Sequence, residues 1–147
     1  MNAAFRLREI PGAPGYDVSD DGRVFSRWYQ EPLGRCKGSR AVLRAISREL
    51  TQFDRRKLDG SPSGYRSVKV ARKNRYVHEL VLLAFVGPRP SPNHEVCHGN
   101  SDRADNRLEN LRWGTVKENC ADRIAAGTQY TGPNWVHPFA DLIGVEP

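Results

Sequence analysis

The sequence predicts an α+β protein in which a small β-rich N-terminal module precedes a compact ββα unit. Three observations support this. Short alternating runs flank a turn near the N-terminus, and an apolar helix is expected at His78–Phe85. Two apolar segments, Glu95–His98 and Leu111–Trp113, are separated by a loop rich in Asn, Asp, Ser and Gly. Thr115, with Glu118 three residues later, forms a capping box that opens a final helix.

The N-terminal module begins with residues 1–7, for which no regular secondary structure is predicted. Tyr16–Ser19 and Arg23–Ser26 alternate in polarity around Asp20-Asp21-Gly22, a combination typical of a β-hairpin. Residues 29–52 predict a basic linker, whose cations are spaced as contacts along a phosphate backbone require. Within that linker, residues 41–50 are compatible with either a short helix or a strand.

A second hairpin and a buried helix follow. Tyr65–Val70 alternates in polarity, Arg72–Asn74 predicts a turn, and Arg75–Val77 predicts the returning strand, so the hairpin tip is basic. His78–Phe85 is apolar on nearly every side, which predicts a central buried helix. His78 lies at its start, where a capping or packing role is expected. The final helix is predicted to run to Ala126, with Val116, Cys120 and Ile124 on its buried face and Gly127 after its end.

Charge and cysteine content restrict the class of protein. The 147 residues include 23 Lys/Arg and 17 Asp/Glu, for a net charge of +6. Residues 22–75 alone hold 15 basic and 4 acidic side chains, which indicates a polyanionic partner. Cys36, Cys97 and Cys120 are scattered and odd in number, which favours a reducing, cytoplasmic compartment over a disulfide framework. No apolar run of membrane-spanning length and no signal-peptide pattern occurs, so no membrane association is predicted.

Three polar residues of the ββα unit are expected to converge. His98 ends the first strand, Asn110 follows twelve positions later, and Asn119 lies in the first turn of the helix. A histidine with an ordinary pKa near 6.5 can act as a general base. One amide oxygen can fix its tautomer, and a second can help to hold a hard cation such as Mg²⁺.

These segments resemble those of the HNH (ββα-metal) endonucleases of the phage-encoded and intron-encoded homing type. The resemblance covers Glu95–His98, Asp105–Trp113 and Glu118-Asn119, and residues 78–88 are similar to the helix that precedes the motif. Residues 8–28 are similar to the NUMOD4-type module that accompanies such domains. The resemblance implies metal-dependent hydrolysis of double-stranded DNA, in which His98 activates water, Asn110 orients His98 and Asn119 binds the metal. A monomer would nick one strand, whereas a dimer or two successive nicks would break both.

Position 97 departs from the family, which often has Asp or Asn before the motif histidine as the other metal ligand. A thiolate matches Mg²⁺ poorly. Three consequences of Cys97 are therefore open: it selects a softer metal, it leaves the ion to Asn119 and the DNA phosphates, or it weakens activity. The cofactor is accordingly Mg²⁺, Mn²⁺ or another divalent transition metal. The sequence is also compatible with two alternatives: a catalytically weak or inactive DNA-binding protein on the same scaffold, and a small adaptor with zinc on Cys97, His98 and Cys120, which lacks an evident fourth ligand.

These expectations divide the chain into a NUMOD4-like hairpin with its basic linker (residues 1–63), an HNH core (64–128) and a C-terminal tail (129–147). The protein would be encoded by a phage or a bacterial host. The residues expected to contact DNA are Arg23, Arg27, Arg66, Lys69, Arg72, Lys73, Arg75, Arg107 and Arg112.

Overall fold

A computed structural model describes residues 5–35 and 37–127. Three antiparallel sheets and two helices form a mixed fold, so the predicted α+β class is confirmed. The first sheet contains β1 (Leu7–Glu9), β2 (Tyr16–Ser19), β3 (Val24–Pro32) and β4 (Ser39–Glu49) in chain order. The second contains β5 (Phe53–Arg56), β6 (Pro62–Val70) and β7 (Lys73–Tyr76). Helix α1 (Val77–Phe85) leads to the ββα unit of β8 (His94–His98), a 3₁₀ turn (Leu108–Asn110), β9 (Leu111–Thr115) and α2 (Val116–Ala125).

The N-terminal hairpin forms as predicted, but the basic linker after it does not. Residues 29–52 instead form the outer part of β3 and β4, a long two-stranded ribbon with Tyr29 opposite Val42. Leu43 is 53% exposed and Ile46 is 86% exposed, because the outer ribbon packs against little besides itself. With solvent on both faces, these strands have no reason to alternate in polarity, and the usual signal for a strand is therefore weak.

One hydrophobic core joins the N-terminal sheet to the rest of the described chain. Helix α1 lies at its centre, as predicted, with Val77, Leu80 and Leu82 fully buried. Burial of each such side chain stabilises the fold by about 1.5–3 kcal/mol. The cluster draws on both sides of the predicted boundary at residues 63 and 64; its members are Ile10, Ala13, Val18, Val24, Val68, Val70, Val77, Leu80, Val81, Leu82 and Leu111.

The second hairpin forms with a different turn and an additional strand. Its tip is Ala71-Arg72 rather than Arg72–Asn74, since Val70 pairs with Lys73. Strand β5 was not predicted; all four of its residues are exposed, and it pairs at the sheet edge with β6. Both tip residues have positive φ, +47° and +67°, a region that L-residues other than Gly and Asn seldom adopt.

The ββα unit follows the prediction closely. His98 pairs with Leu111 across the hairpin, and Thr115 and Glu118 form both halves of the predicted capping box. Gly127, at φ +63°, follows the helix as expected. The predicted buried face of α2 is wrong at Val116, which is 40% exposed; α2 buries Cys120 against the hairpin instead. Two predicted features, the tail at residues 129–147 and Cys36, lie outside the described residues. Within the described residues, neither helix has the length and apolar character needed to span a membrane.

The left-handed turn at Ala71-Arg72 generates a stability prediction. The substitution Ala71→Asn is expected to raise the free energy of unfolding by about 0.5–1 kcal/mol, because Asn adopts positive φ at lower steric cost than Ala. Urea denaturation would measure the change. The β-branched substitution Ala71→Val is the matched control and should lower stability; an Asn variant no more stable than the wild type would contradict the assignment of strain to this turn.

Candidate active site

His98 ends β8 and lies against a cluster of aromatic rings. Its side chain is largely buried, with 9% of the residue exposed. The ring meets His78 edge-on, with centroids 5.3 Å apart and planes at 87°. Tyr65 approaches from β6 at 6.1 Å. The imidazole is therefore held by packing between the second sheet and the start of α1.

His78 forms the inner wall of this cluster. It is 6% exposed, stacks on Tyr76 at 5.1 Å and 11°, and touches Tyr65 at 5.3 Å. Its Nδ1 is buried and has no hydrogen-bond partner in the described structure. Burial lowers the pKa of His78 to about 3, and the neighbouring His98 acts in the same direction. His78 is therefore a neutral ring at physiological pH.

Asn106 is the side-chain amide that lies next to His98. Its Oδ1 is 3.5 Å from His98 Nε2, and its own Nδ2 donates to Ala104 O at 3.3 Å. This orientation makes Nε2 the protonated nitrogen of His98 and leaves the lone pair on Nδ1, an assignment that follows from the hydrogen-bond network. Burial lowers the pKa of His98, while the bond to Asn106 opposes that shift. Spacing alone did not distinguish Asn106 from the other amides of the loop.

Asn110 lies in the loop between β8 and β9. Its Oδ1 accepts from the backbone N–H of Asn100 at 2.9 Å, and its Nδ2 donates to Asn100 Oδ1 and Asp105 O, each at 2.9 Å. Its backbone oxygen accepts from Gly99 N at 2.9 Å. The structure thus places the Asn110 amide where it closes the loop, and brings Asn106 rather than Asn110 to the imidazole.

The turn of the N-terminal hairpin supports the same loop. Asp20 O accepts from Leu108 N at 2.8 Å, and Gln52 Nε2 donates to Gly22 O at 2.7 Å. A Cβ at Gly22 would lie 3.0 Å from both Cβ and O of Asn106. Gly22 therefore permits the backbone of this turn to approach the residue that contacts His98. No local sequence signal predicts a contact between residues 84 positions apart.

Asn119 reaches the same cavity as His98 from α2. The cavity has a volume of about 230 Å³, and its lining includes Tyr65, His98, Arg103, Asn119 and Asp122. Asn119 Nδ2 donates to Glu95 Oε2 at 3.1 Å, which leaves the amide oxygen as its second polar atom. Two of the three predicted site residues, His98 and Asn119, are thus brought together around one space.

Comparisons with known proteins agree with this geometry. The family model for HNH endonucleases matches residues 75–121, which include α1, β8, β9 and the first part of α2. Residues 75–121 are therefore similar to the HNH endonucleases. The Uncharacterized HNH endonuclease L247 of Acanthamoeba polyphaga mimivirus is 42% identical over an alignment of 62 residues, and the match covers 38% of this chain and 16% of the viral protein.

A solved structure shares the fold over a larger part of the chain. The structure titled "DNA binding and cleavage by the HNH homing endonuclease I-HmuI" matches with a TM-score of 0.55 and 24% identity, over 86% of this chain and 62% of that one. This likeness extends the shared fold beyond residues 75–121 into the N-terminal sheet. The chain spans less than two thirds of either protein, and the NUMOD4-type assignment of residues 8–28 stays a prediction.

Cys97, a candidate metal ligand from the sequence, is a tightly packed residue near the end of β8. It is fully buried, and that burial raises the pKa of its thiol. Successive strand residues face opposite sides, so Cys97 lies on the same side of β8 as Glu95 and opposite the side on which His98 meets α1. A Cβ on Gly114 would lie 2.7 Å from its sulfur, which shows how closely the thiol is packed. A neutral, enclosed thiol is a poor ligand for a hard cation.

The oxygen donors beside Asn119 fit a hard cation better. Mg²⁺ in proteins commonly takes one or two carboxylates and completes its shell with water and substrate phosphates. The Glu95 carboxylate and the amide oxygen of Asn119 provide such a sparse set. Among the described residues no group of three or more His, Cys, Asp or Glu side chains is placed to hold a metal, so a zinc-structured adaptor finds no support there.

The nine cations expected at DNA fall into two groups. Four form ion pairs within the chain: Arg23 with Asp21, Arg27 with Glu9 and Asp17, Arg107 with Asp105 and Glu109, and Arg112 with Asp122. Arg107 also lowers the pKa of Asp105 to about 2. The other five belong to the β6–β7 hairpin, where the described residues supply no carboxylate partner; they are Arg66, Lys69, Arg72, Lys73 and Arg75.

The contact between Gly22 and the loop can be tested by comparing the stability effects of two glycine substitutions. Gly22→Ala is expected to lower the free energy of unfolding by more than Gly12→Ala does. Both glycines have positive φ, +87° and +75°, so each change adds backbone strain of about 1–2 kcal/mol. A Cβ at position 12 meets nothing within 4 Å, whereas one at position 22 meets Asn106. Urea denaturation would compare them, and equal losses would contradict the proposed support of the loop by the turn.

The buried His78 predicts that stability falls on mild acidification. The unfolded chain binds a proton near pH 6.5 and the folded protein only near pH 3, so the unfolded state holds more protons between those values. The free energy of unfolding should therefore fall as pH decreases from 6.5, by up to about 1.4 kcal/mol per pH unit from this residue. His98, with its own lowered pKa, adds to the slope.

The variant His78→Phe isolates this contribution because it keeps an aromatic ring between Tyr65, Tyr76 and His98. Denaturation at several pH values between 7 and 5 should show a shallower loss of stability in the variant than in the wild type. That window lies above the range in which most carboxylates titrate. Equal slopes would show that His78 is already protonated or accessible in the folded state.

Proposed function

We propose that the protein is a metal-dependent DNA endonuclease that hydrolyses phosphodiester bonds. One observation carries the proposal: His98 is neutral, fixed in one tautomer by Asn106, and opens onto a cavity that it shares with Asn119. The family match and the shared fold support the same conclusion. The basic surface of the β6–β7 hairpin suits double-stranded DNA as the substrate.

In the proposed reaction His98 is the general base. With Nε2–H directed at Asn106, the Nδ1 lone pair is available to remove a proton from a water molecule. The resulting oxygen nucleophile attacks phosphorus, and the bond from phosphorus to the 3′-oxygen breaks. His78 and Tyr65 pack against the ring and restrict its rotation, so the base does not have to be ordered when DNA binds.

Asn110 supports the base indirectly in this proposal. Its three side-chain hydrogen bonds close the loop that carries Asn106, and its backbone oxygen ties the loop to Gly99, the residue after His98. The role expected from the family, orientation of the catalytic histidine, would then be carried out through the loop. Asn106 makes the direct contact.

Asn119 and Glu95 are the residues that would hold the divalent cation, with DNA phosphate and water as its remaining ligands. The cation would offset negative charge on the transition state and on the leaving oxygen. Cys97 fills a packing position in this arrangement. One consequence is a cation held by few protein ligands, which favours Mn²⁺ or another transition metal as readily as Mg²⁺.

A second candidate function rests on the same Cys97. The carboxylate that the family often places before the motif histidine is replaced here by a buried thiol with a raised pKa. On that ground a DNA-binding protein with little or no cleavage activity on an HNH scaffold is the alternative. Retained DNA binding without cleavage under any metal would favour it.

Plasmid nicking tests the proposal. Supercoiled plasmid would be incubated with the wild-type protein and with Mg²⁺, Mn²⁺, Co²⁺, Ni²⁺ or EDTA. Conversion to open-circle or linear DNA is expected with metal and not with EDTA. His98→Ala should abolish conversion, and Asn106→Leu should slow it about 100-fold or more, because a general base contributes roughly 10²–10⁴-fold to rate. Open circles before linear DNA would indicate that the protein cuts one strand at a time.

Three further variants separate the roles assigned above. Asn119→Ala and Glu95→Gln should raise the metal concentration needed for half-maximal cleavage, while Cys97→Ser should leave it nearly unchanged. Asn110→Ala should slow cleavage and lower stability together, since it opens the loop. A Cys97→Ser protein with altered metal preference would identify the thiol as a ligand and overturn its assignment to packing.

A further inference from the structure

One face of the second sheet continues directly from the aromatic cluster around His98. Val68 and Val70 of β6 point into the core, so the alternate residues Tyr65, Ser67 and Lys69 lie on the opposite face. Tyr76 pairs with Ser67 and shares that face, and its ring lies 5.8 Å from that of Tyr65. The face is therefore a row of aromatic rings that ends at the candidate active site.

Two arginines lie over these rings. The guanidinium of Arg55 is 4.8 Å from the centre of the Tyr76 ring, and that of Arg103 is 5.1 Å from the centre of the Tyr65 ring. Arg103 also donates to Ser63 O at 3.3 Å. Neither arginine forms an ion pair with a carboxylate in the described structure, unlike Arg23, Arg27 and Arg107.

This arrangement orients both guanidinium groups so that they can bind an anion. A guanidinium over a ring is favoured by the cation–π interaction, and its planar set of N–H donors matches phosphate oxygens. Because the ring already limits the side chain, less conformational freedom is lost when a phosphate binds. An ion pair with an internal carboxylate would neutralise such a group; within the described chain the Asp122 carboxylate of the same cavity pairs with Arg112 instead.

Both arginines lie next to the candidate active site, because the rings they cover pack against His78 and His98. Arg103 lines the cavity that also contains His98 and Asn119. Arg55 lies over Tyr76, whose ring stacks on His78 next to His98. A nucleic acid strand with one phosphodiester at His98 would therefore pass neighbouring phosphates over this face.

We propose that Arg55 and Arg103, held over Tyr76 and Tyr65, bind backbone phosphates of duplex DNA adjacent to the bond presented to His98. The inference rests on the proposed function and assigns two contacts that the sequence did not identify. Both arginines position the substrate; neither contacts the reacting atoms. Phosphate contacts of this kind set the register of the strand without reading bases.

Binding measured without cleavage tests the inference. Fluorescence anisotropy with a labelled duplex in EDTA, over a series of KCl concentrations, would compare the wild type with Arg55→Gln, Arg103→Gln and the double variant. Each single change should reduce the slope of log K against log salt by about 0.9, and the double change by about twice that. The loss of affinity should be equal on two duplexes of unrelated sequence.

Matched variants exclude a general effect on folding. Arg8→Gln also removes an arginine from an aromatic ring, 5.3 Å from Phe85, at the other end of α1, and should leave the slope unchanged. Arg55→Lys keeps the charge and should keep the slope. Urea denaturation of each variant would check that the proteins are equally folded.

The outcomes separate the inference from the proposed function. Unchanged slopes in both single variants and in the double variant, with the wild type nicking plasmid, would overturn the inference alone. Reduced slopes with a wild type that never nicks would support the phosphate contacts and overturn the nuclease. A wild type that does not bind duplex DNA would overturn both.

Discussion

The burial of His98 beside α1 is the constraint on which the site depends. An imidazole in solution rotates freely and titrates near pH 6.5. Here His78 and Tyr65 restrict the ring, and burial lowers the pKa of His98. The general base proposed at His98 needs both properties, a fixed direction and an unprotonated nitrogen at working pH. The protein obtains them by placing the start of its central buried helix against the end of β8.

That constraint extends into the N-terminal sheet. Asn106 contacts His98, and its position depends on the backbone of the hairpin turn at Gly22 and on the bond from Leu108 N to Asp20 O. The N-terminal module therefore contributes to the geometry of the site as well as to the DNA-contacting surface proposed for it. The shared core, in which Val18 and Val24 pack with residues of α1, joins the sheet that carries this turn to the rest of the described chain.

The parts of this fold that the sequence predicted are those determined by local interactions. The capping box at Thr115, the hairpin at Asp20–Gly22 and the apolar helix before the ββα unit each depend on residues a few positions apart. The outer ribbon of β3 and β4 and the edge strand β5 escaped prediction because their exposed faces do not alternate in polarity. Asn106 escaped because its partner and its support lie far away in sequence.

The distribution of charge was also only partly predictable from the sequence. The excess of cations in residues 22–75 indicated a polyanionic partner, but composition does not reveal which cations have partners inside the fold. Arg23, Arg27, Arg107 and Arg112 turn out to be ion-paired, and exposed pairs of this kind contribute little stability but do reduce the charge available to a ligand. Arg55 and Arg103 lie over tyrosines instead, and they keep their charge next to the candidate site. The distribution of carboxylates in three dimensions, rather than the count of arginines, therefore decides which part of the surface can hold a phosphate backbone.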